Sequence, residues 1–217
     1  MSNGRDCRTI TVIGYASLLS ERSARETIPS LSRFQLVRVP GYRRIFNKVG
    51  IVFFERFGAS GNDARIASCS TQAAPGCEIV CSRFDCDEDD FLGIYEREHR
   101  FRWIGVEYFG LDGQSGTARM CTENTDENYL LNKCVTWKEY ERRVGAFYKG
   151  KIWRTDILPF PTYLKHCLDA AESQGPEVLA NFLDTSFLSD GVTSIGQYII
   201  AHPDWAEGAL EHYSYDD

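Results

Sequence analysis

Glu98 is a carboxylate placed where a helix should carry only apolar groups, and that placement suits it to proton transfer. Residues 87–99 read as a short amphipathic helix opened by Asp87, Asp89 and Asp90, which suits a cap and the positive end of the helix dipole. Phe91, Ile94 and Tyr95 form its apolar stripe, and Glu98 follows them at i+7, i+4 and i+3. At about 100° per residue Glu98 falls inside the buried arc, while Glu96 and Arg97 fall well outside it. Burying a carboxylate is costly without compensation, so such a residue has a partner or a task. The task would be general acid/base work. The partner would be Arg97, Arg100 or Arg102 in a structural ion pair.

A second candidate lies at the end of the first strand. Gly14-Tyr15-Ala16-Ser17-Leu18 is a small-residue turn whose consecutive backbone N–H groups can hold a carboxylate or a developing oxyanion. Many structural turns look the same. Gly14 has no glycine companions at the spacing of a phosphate loop or a dinucleotide fingerprint. Ser17 lacks the G-x-S-x-G setting and histidine partner of a nucleophilic serine.

The elements that must position these groups are mixed. Strands are expected over 8–13, 34–39, 51–54, 64–70, 78–84, 103–109 and 117–122, with a surface helix over 21–28. Pro40-Gly41, residues 58–63 and residues 111–116 read as turns, and Ala74-Pro75-Gly76 as the approach to a strand. Pro161-Thr162 starts a helix with Tyr163, Leu164, Cys167, Leu168 and Ala171 on one face, stopped by Gly175. Further helices are expected over 176–183 and 194–202, the last stopped by Pro203. The fold class is therefore α+β, a mixed barrel-like β-sheet with flanking helices and a helical C-terminal part. Residues 123–158 read as an insertion or lid, partly helical over 137–148, and 191–217 as a C-terminal extension with a frayed acidic end at 212–217.

Composition narrows the class. The 217 residues suit one domain, 1–217, and 43% apolar with 13% aromatic residues supply a sizeable core. A formal net charge of −7 argues against non-specific nucleic-acid binding. No run of 18 apolar residues is present, so no membrane span is expected. The first strand follows the N-terminus without an apolar signal region, and a cytoplasmic protein is expected. In that setting the eight cysteines do not read as a disulfide framework. Cys77, Cys81 and Cys86 form no C-x-x-C pair and have no histidine at ligand spacing, so no metal is expected.

These pieces together resemble the gamma-glutamylcyclotransferase-like family. Val12-Ile13-Gly14-Tyr15-Ala16-Ser17-Leu18-Leu19 is similar to its Y-G-S-[NL]-L loop. Pro40-Gly41-Tyr42-Arg43-Arg44-Ile45-Phe46 is similar to its G-[YF]-R/K-x-x-F strand, and Pro75-Gly76-Cys77-Glu78-Ile79-Val80-Cys81 to its P-G-x-x-V-x-G strand. Tyr95-Glu96-Arg97-Glu98-His99 matches the position of the family's catalytic glutamate, and Pro161-Thr162-Tyr163-Leu164 its P-S-x-x-Y-L segment. The resemblance covers 8–122 and 159–190. Two departures stand out: Ala16 where the family has glycine, and His99 where a small residue usually follows the glutamate.

The resemblance implies an enzyme acting on a small-molecule γ-glutamyl substrate, without metal or organic cofactor. The α-amine of the substrate attacks its own γ-carbonyl, releasing 5-oxoproline and an amine or amino acid. Glu98 is then the general acid/base, and Gly14, Tyr15, Ala16, Ser17 and Leu18 bind substrate, with Tyr163 a further candidate for the wall. The substrate family spans dipeptides, glutathione and γ-glutamylamines. Ala16, His99 and the 123–158 excursion also suit a second reading, a non-catalytic binding or regulatory protein on the same fold.

Overall fold

The computed structural model describes residues 8–210. Its centre is a closed ring of five strands. β1 (Ile10–Gly14) lies between β3 (Arg65–Cys86) and β5 (Ser115–Thr122); β4 (Arg102–Gly110) joins β5 to β2 (Ser32–Val49), and β2 pairs back on β3. The ring is mixed, because β1 runs parallel to β5 and the remaining pairs are antiparallel. Two short strands, β6 (Leu158–Pro159) on β3 and β7 (Ser186–Leu188) on β2, extend the sheet in parallel. The expected α+β class with a mixed barrel-like sheet is the fold observed.

β2 and β3 run unbroken where the sequence reading places turns. Pro40-Gly41 does not end a strand, nor does Ala74-Pro75-Gly76 precede one. They face each other across a register shift in a single long ribbon, with Gly41 at φ +78 and Gly76 at φ +87. Turn-forming residues on opposed strands were absorbed as a bulge, because pairing continues on both sides of it.

The larger correction concerns residues 51–54, expected as a strand. They begin α2 (Ile51–Arg56). A run of four apolar residues does not distinguish a strand from a buried helix. The difference lies in Gly50, the N-cap, over which the Phe53 ring folds so closely that any Cβ would strike it. Phe53 in turn stacks on Phe160, with centroids 4.2 Å apart.

The remaining helices follow their sequence signals. α1 (Glu21–Thr27) is capped by Ser20, and α3 (Glu88–Arg97) by Asp87, whose carboxylate accepts from the Asp90 amide. Residues 126–145 form two irregular helical segments, α4 (Asp126–Asn128) and α5 (Trp137–Tyr140), each continuing as a π-type turn. α6 (Pro161–Glu172) and α7 (Pro176–Thr185) meet at Gly175, with φ +108. α8 (Ile195–Ala201) opens with a complete capping box between Ser194 and Gln197. The tail at 212–217 lies outside the described residues.

The main core fills the ring and continues under α2 and α6, joining Phe46, Phe53, Ile66, Met120, Leu164 and Phe182. Tyr129, Val144 and Ile152 of the 123–158 excursion belong to this same core. A smaller core holds α1 and α3 against the outer face of β1 and β3 through Ala24, Ile28, Ile94 and Phe84. Phe53 is fully buried in the aromatic cluster, so Phe53→Ala is expected to cost about 3–5 kcal/mol, read as a lower midpoint in urea denaturation.

Candidate active site

The loop after β1 is held from beneath by side chains of the two long strands. Arg44, fully buried on β2, donates from Nε to the Tyr15 carbonyl at 2.5 Å. Its Nη1 reaches Thr185 Oγ1 at 2.9 Å, its Nη2 bonds the Val80 carbonyl, and the guanidinium lies 4.8 Å from the centroid of the Phe182 ring. Ser82 Oγ lies 3.1 Å from the Gly14 carbonyl and 2.7 Å from that of Leu18. A Cβ on Gly14 would fall 2.6 Å from both Leu18 Cβ and Ser82 Oγ, so the tight return of the chain demands glycine.

Ala16 has φ −130 and ψ −115, so it does not occupy the left-handed region that favours glycine. A single 3-10 turn, Ser17–Leu19, follows it. The Ser17 backbone lies close enough to the Cys167 thiol to oppose, weakly, the rise in its pKa that burial causes. Among the described residues no acceptor meets the N–H groups of Ala16 and Leu18.

Glu98 sits one residue beyond α3 as its C-cap, its amide donating to the Ile94 carbonyl at 2.8 Å. The side chain is 22% exposed, and Arg97 Nε donates to Glu98 Oε1 at 3.1 Å. Of the three arginines proposed as partners, then, Arg97 makes the pair. Arg100 instead donates to the Arg143 carbonyl, and Arg102 to that of Glu123. His99 turns toward Tyr129, with Nδ1 3.4 Å from its hydroxyl; burial, then Arg143, lowers its pKa.

Glu98 and all five loop residues, Gly14 to Leu18, line one cavity of about 390 Å³. Tyr163 contributes to the same wall, whereas His99 and residues 123–158 do not line it. Trp103, packed edge-on to Phe91 and stacked near Tyr95, carries the apolar face of α3 onto β4 and also lines the cavity. Among the described residues, no group of three or more His, Cys, Asp or Glu is gathered as a metal site. None of their helices is long and apolar enough to cross a membrane.

Sequence reasoning missed several lining residues. Ile51, Phe53, Glu55 and Arg56 were hidden by reading α2 as a strand. Lys48 and Arg100 were passed over, although Lys48 offered a signal: a lysine between Phe46 and Val49 in a run that is buried throughout. Lys48 is 7% exposed, and burial, reinforced by Arg100 and opposed by Glu98 and Cys121, lowers its pKa to about 8.

No protein-family model and no curated protein matches the sequence. Solved structures do match. A gamma-glutamyl cyclotransferase superposes with a TM-score of 0.53 at 13% identity, over 80% of this chain and 85% of its own. This chain has the gamma-glutamyl cyclotransferase fold. YkqA from Bacillus subtilis is similar too, with a TM-score of 0.51 and 11% identity over 80% of this chain and 52% of its own. A yeast gamma-glutamyl cyclotransferase specific to glutathione aligns over 95% of this chain and 99% of its own, at 11% identity and a TM-score of 0.49. In the terms of this fold, the cavity lies between the loop that leaves β1 and the C-terminal end of α3.

Two expectations follow. Arg44→Met removes the guanidinium donors that meet the Tyr15 and Val80 carbonyls and should lose about 2–4 kcal/mol in chemical denaturation; Arg44→Lys, lacking the planar fork, should recover little of it. For Lys48 the sign runs the other way. Its folded pKa, about 8, lies below its ordinary 10.5, so between those values the unfolded chain binds the extra proton and stability rises with pH. Lys48→Met should therefore raise the melting temperature most below pH 8, with the gain shrinking as pH climbs toward 10.5.

Proposed function

We propose that this protein is a gamma-glutamylcyclotransferase, converting a γ-glutamyl compound to 5-oxoproline and a released amine or amino acid. The observation that carries the reading is the shared cavity: the Glu98 carboxylate, one of two in its lining with Glu55, shares the space with the loop of residues 14–18. The fold supports it, and so does the occurrence of the family's short motifs in order along the chain.

The chemistry needs little more than those two features. Folding the substrate back on itself makes the attack intramolecular, and the cavity supplies that proximity. The α-amine is an ammonium near neutral pH, and Glu98 accepts the proton that must leave before attack. A C–N bond forms at the γ-carbon and the carbonyl oxygen becomes an oxyanion. The Ala16 and Leu18 N–H groups are the donors suited to receive it. Glu98 then delivers that proton to the leaving nitrogen, the original C–N bond breaks, and the carboxylate so regenerated takes the second proton from the ring nitrogen, leaving 5-oxoproline with a neutral lactam N–H. Water is not consumed. Arg44 and Ser82 act as positioning residues, since they hold the loop and touch no reacting atom.

The Arg97–Glu98 contact favours a second reading, in which Glu98 is a structural acid and the cavity binds a γ-glutamyl ligand without turnover. The two separate cleanly. Incubation with γ-glutamyl dipeptides, γ-glutamylamines and glutathione should yield 5-oxoproline with at least one of them. Glu98→Gln should lower that rate by about 10²–10⁴ with an unchanged melting temperature. If no member of the panel is turned over by folded wild-type protein, the binder is the better description.

A further inference from the structure

The cavity carries more positive charge than ring closure uses. Lys48, Arg56, Arg97 and Arg100 line it against Glu55 and Glu98, in a chain whose net charge is −7. Lys48 is the informative member. Its Nζ has one long contact, 3.5 Å to the Val49 carbonyl, and lies 4.8 Å from the Phe101 ring centroid. It makes no ion pair among the described residues. An ammonium has three donors, and a buried charge without a counterion is costly. On a cavity wall, that unfilled capacity is available to an acceptor on a ligand. The groups acting on it are Arg100, Glu98 and Cys121, and with a pKa of about 8 it is mostly charged near neutral pH.

A γ-glutamylamine with an uncharged released half is a net-neutral zwitterion, its α-ammonium balancing its α-carboxylate. A γ-glutamyl compound whose released half ends in a carboxylate carries one further negative charge. The excess of cations around the cavity complements the second kind of ligand and gives the first no advantage. Resting on the cyclotransferase reading above, we propose that Lys48 is a specificity residue that holds a carboxylate on the released half of the substrate. The protein then prefers γ-glutamyl amino acids and peptides to γ-glutamylamines.

The test is calorimetric titration in the Glu98→Gln background, comparing γ-glutamylglycine with its neutral counterpart γ-glutamylglycinamide. With Lys48 intact, the acid should bind about tenfold to a hundredfold tighter than the amide. Adding Lys48→Met should bring the ratio close to one, and Lys48→Arg, which keeps the charge, should retain part of it. A ratio near one with Lys48 in place overturns the inference whether or not the methionine variant folds. So does a ratio that survives Lys48→Met, an equal loss for both ligands, or binding of neither. Release of 5-oxoproline by wild type is scored separately. A preserved ratio without turnover sinks the cyclotransferase reading and keeps the Lys48 subsite, whereas turnover with a ratio of one does the reverse.

Discussion

Arg44 is a guanidinium with no exposed surface and no carboxylate beside it, and the arrangement of the cavity follows from how that charge is satisfied. Desolvation lowers its pKa, against weaker opposing contributions from the neighbouring thiols. What stabilises it is a set of fixed dipoles: the carbonyls of Tyr15 and Val80, the Thr185 hydroxyl and the face of Phe182. The four partners come from three separate parts of the chain. The end of β1, the middle of β3 and the last turn of α7 are therefore tied to one planar fork, which permits little rotation. Turning the Tyr15 carbonyl down to Arg44 fixes the path of the chain that follows it, through Ala16 to Leu18. Ser82 completes the hold from the neighbouring strand.

Above that anchored loop, charge is distributed unlike the rest of the molecule. The exposed surface supports ordinary ion pairs such as Arg25–Glu21 and Lys165–Asp169, which contribute little to stability. In the cavity, by contrast, Lys48 is buried without an acid, and Arg100 has a buried Nε with no partner. A fold selected for stability alone would gain by replacing such groups with apolar ones. Their cost is concentrated in the lining of one cavity, which also holds Glu98 and a pair of unpartnered backbone donors. That pattern is the one expected where stability has been exchanged for ligand recognition.

Much of this was legible in the sequence, for identifiable reasons. Asp87 marks where α3 starts, but periodicity misplaces Glu98: it lies one residue past the helix as its C-cap and is as exposed, at 22%, as the Arg97 beside it. The Gly14 turn, the mixed strand order and helices α6 to α8 announce themselves through caps, prolines and glycines. What failed was local and physical. Pro40-Gly41 and Pro75-Gly76 look like turns because no sequence signal reveals that each lies opposite the other in a continuing ribbon. Residues 51–54 look like a strand because the decisive contact is the Phe53 ring over Gly50, seated by Phe160 more than a hundred residues later. Reading α2 wrongly also concealed the lining residues it carries. Lys48 was missed because a lysine in a strand is ordinarily an exposed one, and only the surrounding burial makes it exceptional.

The excursion outside the family resemblance bears on the cavity at one remove. Asp126 receives the amides of Ile152 and Trp153, which closes the excursion into a compact unit, and Tyr129 and Val144 seat that unit in the main core. From there the Arg143 carbonyl receives Arg100 Nη2 at 2.6 Å, while the Arg143 side chain bridges Glu96 of α3 and Glu139 of α5. One residue therefore fixes both a cation of the cavity wall and the helix that presents Glu98. A segment that contributes no lining residue is thus tied both to Arg100 in the cavity lining and to the helix that ends at Glu98. The cavity thereby rests in part on a support that lies wholly outside the recognisable motifs.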